Sequence, residues 1–267
     1  MPGQSHFALL ENNKIHYVTL GRGNSTIVFI HGWAGHIGIW REQVSALADK
    51  AKLIFIDLPG HGKSDKPQAA YTLDFFARAV LAVLQDAQVG KAVFVAHSMG
   101  AAVLCQIYRL APEKVSALIS VDGLLRRPAG TPEQAKALIL PFGAPGYLNH
   151  ARNFLNAFFP IPGSEALRDR LMPEMLATPQ HVMLGSMVGM FGPDQSDWAL
   201  EKVNAPVAAI NAPGTWFANG YESQIRSLNP QSDYIVMDAV GHFLMLERPA
   251  EFNATLSGVL RKFGSIA

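Results

Sequence analysis

Cysteine is nearly absent from this chain of 267 residues: Cys105 stands alone, so no disulfide can form within the chain. No CxxC pair or Cys/His cluster offers ligands for a structural metal. Charge of one sign is equally scarce. The chain holds 22 Lys and Arg against 21 Asp and Glu, a net charge of +1 with no basic stripe. That balance argues against nucleic acid or an anionic membrane surface as partner. No apolar run approaches the ~20 residues a membrane-spanning helix requires. The opening MPGQSHFALLENN lacks the positive-then-apolar pattern of a secretion signal. A cytoplasmic protein is therefore expected, and nothing in the sequence sets its oligomeric state. Internal repeats and low-complexity tracts are missing as well.

What is there is a large apolar fraction, 49%, enough for a substantial core. Runs that read as strands buried on both faces recur at 14–20, 26–30, 52–56, 91–96 and 116–121. Amphipathic helical stretches alternate with them at 40–49, 73–88 and 98–110. This alternation predicts an α/β fold, a mostly parallel central sheet with helices on both faces. From Arg126 to Trp198 the strand rhythm stops, and prolines punctuate helical stretches rich in Leu, Met and Phe. The rhythm returns with a strand at 206–211, a helix near 221–228, a strand at 233–238 and a last helix at 249–263. The expected organisation is a split core, 1–125 and 199–267, interrupted by a helical cap at 126–198.

In open α/β sheets the functional crevice lies beyond the carboxyl ends of the strands. Ser98 stands at such an end, in VAHSMGAAV, with Ala96 and Gly100 two positions to either side. A serine on a sharp strand-to-helix turn needs small neighbours there, and the helix N-terminus favours negative charge. An ordinary helix N-cap would explain the same serine. The loop HGWAGHIGIW could bring the Trp33 N–H beside that of Met99, forming an oxyanion hole, although an ordinary glycine loop explains it equally. His242, in GHFLMLERP after the last strand, is placed to serve as a general base. His31 and His61 also follow strands, and His97 adjoins the serine, but its side chain is expected to point away from it. Asp57 is expected to be structural, and Cys105 to pack as a small hydrophobe behind the serine turn.

In order and position, HGW at 31–33, DLPGHGKSDKP at 57–67, AHSMG at 96–100 and GHFLMLERP at 241–249 resemble the α/β-hydrolase superfamily over essentially the whole chain. The resemblance implies Ser98 as nucleophile, His242 as base, the Trp33 and Met99 amides as oxyanion donors, and a lid after the sixth strand. One departure stands out. Most relatives carry the triad acid after the strand equivalent to 206–211, yet Ala212 to Gly220 contains neither Asp nor Glu. Asn219 offers no negative charge, and Glu222 is the first carboxylate beyond. Some family members, among them a subset of haloalkane dehalogenases, carry the acid at the end of the sixth strand, here Asp122 in LISVDGLLRRP. Asp122 is therefore the expected acid, with Glu222 or a triad lacking an acid as the alternatives. Dehalogenase and epoxide hydrolase chemistry are disfavoured because both require a carboxylate where Ser98 stands.

The expected activity is hydrolysis of small to medium apolar carboxylic esters through an acyl-enzyme. Trp33, Trp216, Phe142, Phe158, Met187 and Phe243 are expected to line the pocket, with no metal or organic cofactor. Alternatives within the same chemistry are a lactonase, a carbon–carbon bond hydrolase or a hydroxynitrile lyase. From another class comes a ligand-binding or signalling protein on the same scaffold. Polar or basic groups facing Ser98 would favour acidic diketones; a purely apolar wall would favour simple esters.

Overall fold

The computed structural model describes residues 2–192, 198–214 and 220–267. Eight strands form one sheet: β1 (Gln4–Leu10), β2 (Asn13–Gly21), β3 (Thr26–Ile30), β4 (Lys52–Ile56), β5 (Ala92–His97), β6 (Val115–Val121), β7 (Val207–Asn211) and β8 (Asp233–Val236). Their spatial order is β1-β2-β4-β3-β5-β6-β7-β8. Pairing is antiparallel at β1/β2 and β2/β4 and parallel from there on. The central strands are buried on both faces, as β5 shows with every residue from Ala92 to His97 hidden from solvent. Such strands need helices on each side. Leu73–Asp86 and Met99–Leu110 pack together on one face, and Pro249–Lys262 packs with segment 37–47 on the other.

The register of the parallel strands decides where function can sit. Ile30 pairs with Ala96, His97 with Val121 and Val121 with Ile210, so β3, β5, β6 and β7 end side by side. The loops that follow them, carrying Trp33, Ser98 and Asp122, therefore open onto one crevice. Between β6 and β7 the described residues add four helices, Pro132–Gly143, Tyr147–Asn156, Glu165–Leu176 and Gln180–Phe191. No helix among the described residues is long and apolar enough to cross a membrane.

The structure departs from one local expectation and adds a strand that the sequence pattern does not predict. The helix read at 40–49 begins earlier, as a 3-10 stretch Ile37–Gln43 that runs into one α-turn, Val44–Leu47. The side chain of His36 caps the start by accepting from the Gly38 N–H at 3.0 Å, and Asp57, remote in sequence, accepts from the Ile37 N–H at 2.8 Å, so a tertiary partner shares in setting it. Strand β1 carries no strong pattern of its own, with Phe7 and Leu9 outward and exposed. It exists through its hairpin register with β2, from Gln4 opposite Thr19 to Leu10 opposite Asn13.

Candidate active site

Ser98 joins β5 to the helix Met99–Leu110 in a backbone conformation, φ 54° and ψ −119°, that side chains other than glycine seldom adopt. Strain of this kind, about 1–3 kcal/mol, persists only where the surroundings hold it. Here the Ser98 N–H donates to Val121 O at 3.0 Å, and Ser98 O accepts from the Ala101 N–H at 2.9 Å. Gly100 must lack a side chain, because a Cβ there would lie 2.9 Å from the carbonyl oxygens of both Ile30 and His31. Ala96, on the strand side, is fully buried and its methyl is accommodated.

His242 connects the serine to the acid. Its Nδ1–H donates to Asp122 Oδ2 at 2.6 Å, which leaves Nε2 to accept from the Ser98 hydroxyl at 2.9 Å. Asp122 is 6% exposed, and its other oxygen accepts from the Ala212 N–H at 2.8 Å. It too has a positive φ, 43°. The turn beyond it is pinned by Tyr221, whose hydroxyl donates to Gly123 O at 2.8 Å and accepts from the Leu125 N–H at 3.0 Å. Glu222, the alternative acid, lies exposed on the helix Tyr221–Leu228 and takes Arg226 as its partner at 2.9 Å. Such an arrangement can remove a proton from Ser98 while the carboxylate steadies the imidazolium that results.

The HGW loop lies against the serine: a Cβ on Gly32 would come within 2.8 Å of Ser98 Cβ. Trp33 follows directly, and its indole N–H donates across to Met183 O in the inserted helices at 3.1 Å. Met99, as the first helical residue, has no intrahelical acceptor for its N–H. Ser98, His242, Trp33 and Met99 share one cavity of about 120 Å³. Its wall is apolar, with Phe154, Phe158, Met187, Met190 and Trp198 facing the serine. Among the described lining residues no Lys or Arg is present and Asp122 is the sole carboxylate.

Of the expected lining residues, Trp33, Phe158 and Met187 face this cavity. Phe142 and Phe243 do not. Phe142 is fully buried within the inserted helices, edge-on to Trp33 at 5.1 Å. Phe243 is outside the cavity lining and stacks on Phe159 at 5.2 Å. Trp216 and Asn219 lie outside the described residues. Among those described, no group of three or more His, Cys, Asp or Glu is arranged to hold a metal ion.

Sequence reasoning assigned no role to three neighbours of the site. His97, buried beneath His242, donates from Nε2 to the His242 carbonyl at 2.8 Å. Burial, with the His242 charge nearby, pushes its imidazole well below the usual value. Glu247 accepts from the Gly241 N–H at 2.6 Å and the Phe243 N–H at 3.1 Å. Burial raises the Glu247 carboxyl. Tyr221 is the third. The GHFLMLERP stretch contains Glu247, but only contact geometry shows that it reaches back to the amides on either side of His242.

The remaining polar residues form a separate knot under the first loops. Asp57 Oδ2 accepts from His16 Nδ1–H at 2.7 Å and from the Lys63 N–H at 3.0 Å. Burial alone would raise the Asp57 carboxyl, but these bonds and neighbouring histidine charge bring it down to about 2. His31 and His61, fully enclosed, are pushed by burial to about 4 and about 3.

A family model described as the alpha/beta hydrolase fold matches residues 25–173, and the chain belongs to that family. It is similar to a dihydrolipoyllysine-residue acetyltransferase component of an acetoin cleaving system from Pseudomonas putida. Identity there is 28%, over 91% of this chain and 65% of that one. A pimeloyl-[acyl-carrier protein] methyl ester esterase from Methylococcus capsulatus is 36% identical over 54% of each chain. Among solved structures, the N-acyl homoserine lactone degrading enzyme Est816 superposes with a TM-score of 0.80 at 27% identity, over 95% of this chain and 99% of that one. The chain thus spans less than two thirds of the length of both curated relatives.

Proposed function

We propose that this chain is a serine hydrolase of small, apolar carboxylic esters. Ser98 attacks the ester carbonyl while His242 takes the hydroxyl proton, and Asp122 holds the imidazole in the required tautomer and stabilises its charged form. The amides of Trp33 and Met99 receive the oxyanion of the tetrahedral intermediate, each donor being worth about 3 kcal/mol to the transition state. His242 returns its proton to the departing alcohol, then activates a water that hydrolyses the acyl-enzyme. The helices within 126–198 act as a cap over this chemistry.

The observation that carries the reading is the hydrogen-bonded series Ser98, His242 and Asp122 opening into an apolar cavity. The size of that cavity narrows the substrate. An engineered apolar cavity of about 150 Å³ holds a benzene, so about 120 Å³ suits a short acyl chain or an aryl group. The want of a cation in the described wall favours neutral esters over the acidic diketones of carbon–carbon bond hydrolysis. Lactones form a second reading, favoured by the 27% identity to a lactone-degrading enzyme. The deciding assay compares p-nitrophenyl acetate and butyrate with γ-butyrolactone, in the wild type and in Ser98→Ala. Ester turnover that disappears in Ser98→Ala is expected; undiminished turnover in that variant overturns the mechanism.

A further inference from the structure

We propose that the inserted helices are part of the mount of His242, with Phe159 and Glu247 as positioning residues, so that the base and segment 158–160 act as one body. The inference rests on the reading of His242 as general base. His242 sits in an irregular stretch between β8 and the short helix Leu244–Glu247, where no ladder holds it. A base on a loop performs only if surrounding contacts fix it to a fraction of an ångström. The backbone is held on three sides. Glu247 receives the N–H groups of Gly241 and Phe243 at 2.6 and 3.1 Å. From beneath, His97 donates to the His242 carbonyl at 2.8 Å.

The third side belongs to the turn that joins two of the inserted helices, Tyr147–Asn156 and Glu165–Leu176. The His242 N–H donates to Phe158 O at 3.3 Å, and the Phe158 ring lies 4.4 Å from the imidazole. Phe159 stacks on Phe243, nearly parallel at 19°. At Gly241 the two segments are pressed together: a Cβ would stand 3.0 Å from Pro160 Cδ and 3.2 Å from Phe158 O. Outward movement of segment 158–160 removes a backbone hydrogen bond and a ring contact from His242 together. The 2.9 Å bond to Ser98 then lengthens. An open cap is, on this account, also a disarmed triad. Phe158 faces the cavity as well and so mixes substrate contact with positioning, whereas Phe159 lies outside the cavity wall and reports positioning alone.

Kinetics of p-nitrophenyl butyrate hydrolysis and the rate of fluorophosphonate labelling at Ser98 test this in Phe159→Ala and Phe159→Tyr, with Tm measured alongside. Phe159→Ala is expected to lower kcat and the labelling rate together by roughly 10-fold, as a sub-ångström misplacement of a reacting group does. KM stays within twofold, and Phe159→Tyr, which keeps the stack, restores both rates. If Phe159→Ala does not fold, Phe159→Leu keeps most of the bulk without the ring stack, and is expected to lose about threefold in kcat. Wild-type kcat in whichever variant folds, or a change confined to KM, overturns the proposal. Failure of the functional reading looks different: turnover then survives Ser98→Ala, which leaves the mount untouched.

Discussion

Among the described residues, two hydrogen-bonded series of serine, histidine and aspartate occur. In one, Ser98 donates to His242 and His242 to Asp122. In the other, Ser5 donates to His16 at 2.9 Å, and His16 donates to Asp57 at 2.7 Å. Residue types, order and distances nearly match, and both acids are buried. The surroundings differ. Ser98 occupies a strained turn at a helix N-terminus, above a cavity and beside a glycine loop. Ser5 lies on the exposed outer strand β1, in a regular ladder away from any helix terminus, and does not line the hollow that neighbouring Gly3, Gln4 and Thr19 border. Asp57 spends its acceptors on the amides of Ile37 and Lys63, tying two loops together. A hydrogen-bonded triad is thus a local chemical fact, whereas an active site also needs a place for substrate and for developing charge.

The largest contrast is expected at the two serines. Ser98→Ala should reduce kcat by roughly 10⁶-fold, as loss of a triad nucleophile does, while Ser5→Ala stays within twofold and a fluorophosphonate labels Ser98 alone. Labelling of Ser5 would erase the distinction. At the two acids the effects should part company. Asp122→Asn is expected to lower kcat by about 10⁴-fold, because the imidazole tautomer is no longer enforced, with little change in Tm. Asp57→Asn should keep nearly full activity per folded molecule but lose about 2 kcal/mol of stability, lowering Tm by about 5 °C. Its own shift sets the first figure, since the carboxyl falls from 3.8 to about 2.

Acid sharpens the comparison further. His31 and His61 have depressed values in the folded protein, about 4 and about 3, against 6.5 when exposed. Below pH 6.5 the unfolded chain binds protons that the folded chain refuses, so stability falls as pH drops toward 4. Asp57 adds its loss below that, as pH falls from 3.8 toward 2. Urea midpoints between pH 7 and 4 measure the effect, and His61→Gln should flatten the slope; an unchanged slope would assign the acid sensitivity elsewhere. The smallest effect is expected for Glu222→Gln. Its carboxylate is exposed and paired with Arg226, so kcat should stay within twofold; a collapse would make Glu222 the acid.

Much of the fold is legible in the sequence because strands buried on both faces, such as KLIFI and AVFVAH, write their environment into composition. The start of the 37–47 segment and strand β1 are not, since Asp57, distant in sequence, helps define the first and pairing with β2, rather than any pattern of its own, defines the second. Ser98, His242 and Asp122 stand out as candidates because each follows a strand and the segment Ala212–Gly220 has no carboxylate. Phe142 and Phe243 were expected at the pocket because aromatic content is visible in sequence, but the direction of a ring is not. In the folded chain Phe142 supports Trp33 and Phe243 supports the His242 loop.

By itself, then, the sequence determined the parallel sheet, the helical interruption after β6 and the chemical types available at the strand ends. These follow from periodicity and from small residues such as Gly100, which are local properties. Tertiary structure alone decided which serine–histidine–aspartate series lines the apolar cavity under the inserted helices, and how the loop bearing His242 is held. Both depend on register and on contacts between residues far apart in the chain, such as His242 N–H to Phe158 O and Nδ1–H to Asp122. No local pattern encodes those distances; only the packed sheet and the helices laid across it do.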